Sequence, residues 1–161
     1  IVFGDWSSDV CSSDLFFFIG LFMIVESLVE TGFINMIANG VMQVTKGEPR
    51  TTSMVILWLS GVFSAVIDNV PFVAAMIPVL ERLGTLIGNQ SQMHPIWWSL
   101  ALGTCLGGNG TLIGASANIV AAGIANRNGF ILSFKEYTKI GAIFTLNAII
   151  ISTIYILFRY Y

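Results

Sequence analysis

The sequence predicts an all-α integral membrane protein in which two apolar stretches are broken at membrane depth, and three observations carry that expectation. Of 161 residues, 55% are hydrophobic and only 10% charged, with a mean hydropathy of +0.82; a soluble domain carries about 25% charged residues. The apolar stretch 53–83 is cut by Asp68-Asn69-Val70-Pro71. A second apolar stretch, 96–125, is cut by Gly107-Gly108-Asn109-Gly110-Thr111.

The first 15 residues stand apart. Residues 5–15, Asp-Trp-Ser-Ser-Asp-Val-Cys-Ser-Ser-Asp-Leu, are rich in Ser and Asp and abut Phe16-Phe17-Phe18-Ile19 without a linker. They match one reading frame of a common sequencing-library adapter, so residues 1–15 are expected to be non-native and are excluded from fold reasoning; the competing reading is a polar extramembrane tail. Without Asp5, Asp9 and Asp14, six acidic residues face seven basic ones, so net charge points to no partner and to no nucleic acid. Cys11 leaves with that stretch and Cys105 stands alone, which excludes a disulfide framework or a cysteine metal cluster. An adapter at the front also predicts that the chain is a piece of a longer protein.

Residues 16–44 are apolar enough to form a transmembrane helix, interrupted by Glu26, Glu30 and Gly32. Glu26 and Glu30 lie four apart and share a helix face, which ionisable residues in membranes turn toward a bundle or cavity. The alternative is that Glu30-Thr31-Gly32 marks the membrane interface and the chain beyond lies along the surface. Thr45-Lys46-Gly47-Glu48-Pro49-Arg50 follows as a turn outside the bilayer.

The stretch 53–83 reads as a re-entrant helical hairpin. Its first arm, 54–67, gives about 21 Å of helix, short of the roughly 30 Å hydrocarbon core, and neither arm is expected to span alone. A continuous helix would bury Asp68 and force Pro71 to delete a backbone hydrogen bond. A break with an Asp or Asn cap and Pro71 in the next first turn is cheaper. Ser60-Gly61 and Ser64-Ala65 place small residues four apart for close helix packing. Pro78 is expected to kink the second arm and Glu81-Arg82 to end it.

Residues 84–95 read as a polar connection holding the only histidine, His94, and a sequon-like Asn89-Gln90-Ser91, neither of which is assigned a role. The stretch 96–125 then reads as one transmembrane helix unwound at its glycines, with Trp97 and Trp98 as interfacial anchors. Neither nucleotide-loop pattern fits, because no Lys precedes Thr111 and no glycine stands three residues after Gly110. Residues 126–139 form a second hydrophilic loop, and 140–158 a closing transmembrane helix flanked by Arg159-Tyr160-Tyr161.

Two interrupted helices with polar residues at each break point to a transporter site. Carbonyl-rich helix ends at the breaks suit a cation and helix N-termini an anion. Asp68, the only aspartate outside 5–15, is the titratable candidate for proton or sodium binding; its structural alternative is a helix cap.

Ser64-Ala65-Val66-Ile67-Asp68-Asn69-Val70-Pro71-Phe72, with Met76-Ile77-Pro78, resembles the hairpin motif of the ion transporter superfamily. The branch it is most similar to holds the P protein, NhaD-type sodium/proton antiporters and ArsB-type arsenite permeases, with a citrate-transporter-like domain. Gly107 to Thr111, with Gly114-Ala115-Ser116-Ala117-Asn118, is similar to the same branch's unwound helix, and Phe18 to Phe22 and Glu30-Thr31-Gly32 also fit. The resemblance covers 16–161 and implies the C-terminal half of an inverted-repeat transporter with elevator-like alternating access in the plasma membrane.

The candidate ion- or substrate-binding residues, at the two breaks and in the motifs around them, are Asp68, Asn69, Val70, Pro71, Gly108, Asn109, Gly110, Thr111, Ser116 and Asn118, with Asp68, Asn69 and Asn109 as sodium ligands and, from their shared helix face, Glu26 and Glu30 as secondary candidates. The hairpin tip of the sodium-coupled dicarboxylate branch reads Ser-Asn-Thr where this chain has Asp68, Asn69 and Val70, which favours cation exchange or a different anion. A sodium-coupled di- or tricarboxylate symporter, or a membrane-embedded enzyme or scaffold, are the alternatives. No cofactor is expected beyond sodium or a proton as coupling ion. The expected partners are a small ion, the lipid bilayer, the missing N-terminal half and a second copy in a homodimer. The resemblance places 126–139 in the cytoplasm and the open end of the hairpin outside.

Overall fold

A computed structural model describes residues 6–130 and 132–161; residues 1–5 of the stretch read as adapter lie outside the described residues. Among the described residues seven α-helices follow one another: α1 Trp6–Glu30, α2 Phe33–Thr45, α3 Pro49–Ser64, α4 Asn69–Ile87, α5 Gln90–Gly107, α6 Ser116–Arg127 and α7 Phe134–Tyr160. A single 3-10 turn, Gly108–Gly110, links α5 to the irregular residues 111–115. The helix of α1 runs back through residues 6–15 without interruption.

The expected single span 16–44 is two helices. Thr31 and Gly32 separate α1 from α2, and the axes bend by 66°. Gly32 sits at φ 76°, a left-handed conformation that costs a residue without a Cβ little, and this ends α1 where the sequence placed Glu30-Thr31-Gly32 at an interface. Glu30 is accordingly exposed at the end of α1.

Both broken elements form, with boundaries wider than the sequence suggested. The first break occupies 65–68. Pro49 starts α3 from its first turn, where a missing N–H costs nothing. Beyond the break, α4 runs past Pro78, Glu81 and Arg82 to Ile87, because Gly84 to Ile87 keep helical bonding until Gly88 turns left-handed. At 19 residues α4 is, by length and composition, able to cross a membrane, contrary to the expectation for either arm, and so is α7 at 27. The connection expected over 84–95 shrinks to residues 88–89. Asn89 caps α5, its Oδ1 accepting from the Ser91 N–H at 3.2 Å and from Ser91 Oγ at 2.6 Å, so the sequon-like triplet is a helix start. Pro95 lies within the second turn of α5, and α7 begins at Phe134, taking Lys135, Glu136 and Lys139 into its first two turns.

One apolar core joins α2 (Ile34, Ala38, Val41), α3 (Ile56), α4 (Val79, Leu80, Leu83) and α5 (Met93, Ile96, Leu100). Smaller contacts around Leu57, Ile149 and Ile156 dock α7 on α3. The closest packing is between α3 and α5. A Cβ built on Gly103 would stand 2.5 Å from the Leu57 carbonyl oxygen and 2.9 Å from Ser60 Cβ; one built on Gly107 would overlap the Gly61 backbone. Ser60, Gly61 and Ser64 are buried, as their spacing predicted. Backbone contact at this crossing brings the C-terminal ends of α3 and α5, and hence the two breaks, together.

Candidate functional site

The site is built where the break at 65–68 meets the break at 108–115. Asp68 caps α4, its Oδ1 accepting from the Val70 N–H at 3.4 Å, and Phe72 N–H donates to the Asp68 carbonyl at 3.3 Å. Pro71 lies in that first turn, where its ring is tolerated. Phe63 on α3 stacks on Phe72 on α4 across the break, with centroids 6.3 Å apart.

Each break satisfies the other's backbone. The Thr111 hydroxyl donates to the Ala65 carbonyl, at the end of α3, and accepts from the Gly114 N–H at 3.0 Å. The Ser64 hydroxyl donates to the Thr104 carbonyl at 2.8 Å. Asn118 reaches back from α6 to donate to the carbonyls of Gly108 at 3.0 Å and Thr111 at 3.1 Å. Thr145 on α7 donates to the Leu106 carbonyl at 3.2 Å. These carbonyls lie at or just beyond the C-terminal ends of α3 and α5, where helices leave backbone acceptors short of partners; side chains supplement the Gly108 N–H, which itself reaches the Thr104 and Leu106 carbonyls.

Asn69 is the hinge of this arrangement. With its amide nitrogen turned toward three oxygens it donates to Ser64 Oγ at 2.5 Å, the Thr104 carbonyl at 3.2 Å or the Gly114 carbonyl at 3.3 Å; the reverse orientation sets oxygen against acceptors. Gly108 is buried directly against this amide, and a Cβ there would overlap it. Gly114 lies under the Ser64 and Ala65 carbonyl oxygens, each 2.9 Å from where its Cβ would stand. Gly110 is buried against Ala65 and Thr145.

The structure therefore brings Asn69, Gly108, Gly110, Thr111 and Asn118 into one cluster, with Asp68, Val70 and Pro71 at its rim. Asn109 is exposed, donates back to the Cys105 carbonyl at 3.4 Å and lines a cavity against α7 with Glu136 and Tyr137. Asn69 lines a different cavity, between α4, α1 and α5. Of the expected sodium ligands Asp68, Asn69 and Asn109, the latter two therefore line separate cavities. Ser116 is exposed at the start of α6, and Glu26 lines the Asn69 cavity while Glu30 does not.

Sequence reasoning passed over Thr104 and Thr145, and quoted Gly114 only within the motif without giving it a place at the site. Gly103 and Gly107, four apart on α5, carried the signal for that helix as the packing partner of α3.

Residues 8–103 match the citrate transporter family, CitMHS, a range that covers more than half of the chain and begins within the stretch read as adapter. The chain belongs to the CitMHS family. An uncharacterized transporter of Mycobacterium tuberculosis strain H37Rv is 43% identical over 157 residues, covering 98% of this chain and 37% of that relative. The 46 kDa membrane protein of Mycobacterium leprae is 40% identical over 156 residues, covering 97% of the chain and 36% of the relative. The P protein of Homo sapiens is 40% identical over 132 residues, 79% of the chain and 16% of the relative. The CitMHS chain thus spans little more than a third of the length of its mycobacterial relatives. No solved structure matches it significantly.

Proposed function

We propose that the chain forms one repeat of a secondary active ion transporter, working by sodium/proton antiport or as an inorganic anion permease of the arsenite type, through alternating access at a midplane site in the plasma membrane. The observation that carries this reading is the contact of the two breaks, where hydroxyls and amides of Ser64, Asn69, Thr111 and Asn118 hold non-helical backbone in place. Non-helical backbone at membrane depth is tolerated where protein buries it or where it lines a wet cavity, and transporters place substrate sites there. A second repeat, from the remaining length of the protein, supplies the other ligands.

Asp68 is the coupling residue in this reading. It sits half-buried at the rim, and a cap needs only a polar oxygen, whereas exchange of a proton for a cation needs a group that titrates. The family's description as a citrate transporter favours a second reading, a sodium-coupled carboxylate symporter. Against it stands the tip itself, which has Asp68, Asn69 and Val70 where the sodium-coupled dicarboxylate branch has Ser-Asn-Thr. The relatives named as transporters favour transport over a membrane-embedded enzyme or scaffold.

The test is ion flux into vesicles reconstituted with the full-length transporter. Asp68→Asn keeps the shape and the cap but removes the charge, and is expected to abolish pH-dependent coupling while the protein stays folded. Asn69→Ala is expected to weaken ion affinity instead. Wild-type flux and pH dependence in Asp68→Asn would reduce Asp68 to a cap.

A further inference from the structure

A cavity of about 710 Å³ runs between α1, α4 and α5. One face of α4 forms its long wall, Val70, Val73, Ala74 and Ile77 recurring at helical spacing until Glu81. Facing it, α1 contributes Phe22, Val25, Glu26 and Val29 at the same spacing. Asn69 at one end and Glu81 at the other are separated by about 18 Å of helix. Thr104 and Cys105 of α5 also line the cavity.

Three features set this space apart from a lipid-filled groove. Its charged lining residues, among those described, are Glu26 and Glu81, both acidic, with no lysine or arginine. Carboxylates on otherwise apolar helices face water or an ion rather than hydrocarbon. Thr104 is wholly buried, yet its hydroxyl has no hydrogen-bond partner among the described residues. A helical hydroxyl ordinarily bonds back one turn, as Ser99 does to the Pro95 carbonyl at 2.8 Å, so the idle Thr104 oxygen beside this cavity suits a bound polar guest. The cavity also includes Asn69, the residue that joins the two breaks.

We propose that this cavity is a cation vestibule: a hydrated monovalent inorganic cation passes Glu81 and Glu26 and reaches Asn69 at the junction of the breaks, beside the buried Thr104 hydroxyl. The inference rests on the transporter reading and narrows its substrate class to cations. A passage walled by low-dielectric side chains and carrying charges of one sign concentrates the opposite ion and repels its own.

Cys105 provides a reporter, since it is exposed and lines the cavity. In the full-length transporter with Cys105 kept as its sole cysteine, Cys105 is modified by cationic and anionic methanethiosulfonates of similar size, each rate normalised to that of a free thiol in solution. The cationic reagent is expected to react at least about tenfold faster. Glu81→Gln should reduce that ratio and Glu26→Gln with Glu81→Gln should bring it near one. Sodium should slow modification relative to N-methylglucamine at equal ionic strength. Equal normalised rates for the two reagents in the unsubstituted protein would overturn the vestibule, as would a ratio indifferent to both glutamates. Equal rates alongside Asp68-dependent flux would remove the vestibule and leave the transporter reading standing; cation-selective labelling with flux indifferent to Asp68 would keep the vestibule and reduce Asp68 to a cap.

Discussion

Replacing Gly107 with alanine tests the contact on which the site depends. A Cβ there would stand 2.7 Å from Gly61 Cα and 2.9 Å from the Gly61 carbonyl carbon. Relaxed carbon–carbon contacts are about 3.5–4.0 Å, so α3 and α5 must part by about 1 Å, and no rotamer change relieves a clash with backbone. Overpacking of this kind costs about 1–3 kcal/mol. Parting the helices also stretches the 2.8 Å bond from Ser64 to the Thr104 carbonyl, worth about 1 kcal/mol more. The expected loss is about 3 kcal/mol, roughly two decades in the folding equilibrium. The assay is reversible unfolding in mixed detergent micelles, read by circular dichroism, with two alanine controls. At Gly61 the added Cβ meets the Ile149 Cδ1 at 2.5 Å, the end of a side chain that can swing away, so Gly61→Ala should cost under about 1 kcal/mol. At Gly123 nothing lies within 4 Å, so alanine should stabilise α6 by about 0.5–1 kcal/mol. If Gly107→Ala were as stable as Gly123→Ala, the two backbones would not touch and the breaks would not be held together as described.

Two further outcomes are expected. Asn118→Ala strips partners from the Gly108 and Thr111 carbonyls, a loss of about 1–3 kcal/mol; amide exchange over residues 108–115 should rise roughly tenfold to a hundredfold, and unchanged exchange would show that Asn118 does not hold the break. Lys46→Cys, in the turn between α2 and α3, should label from outside and Lys135→Cys, in the first turn of α7, from the cytoplasm; labelling of Lys135→Cys from outside alone would invert the orientation.

The sequence alone determined the membrane class, the two breaks and most of the residues at them, because each is a local effect. Asp68 and Pro71 refuse a helix interior, and the glycines from Gly107 to Gly110 favour unwinding whatever surrounds them. Motif resemblance supplied the family for the same reason, since it rests on residues close together in the chain. Boundaries were harder to read: Glu81 and Arg82 looked like an end, yet α4 continues to Ile87 because Leu83 is buried in the core that α4 shares with α2 and α5. The bend at Gly32 was legible as one of two options, and a left-handed backbone angle chose between them. Only the tertiary structure decided which polar groups meet. Glu26 and Glu81 face one cavity from α1 and α4, Asn69 and Asn109 face different cavities, and Thr111 finds Ala65 46 residues away because the depth at which α3 and α5 cross is fixed by glycine-to-backbone contact between segments distant in the chain.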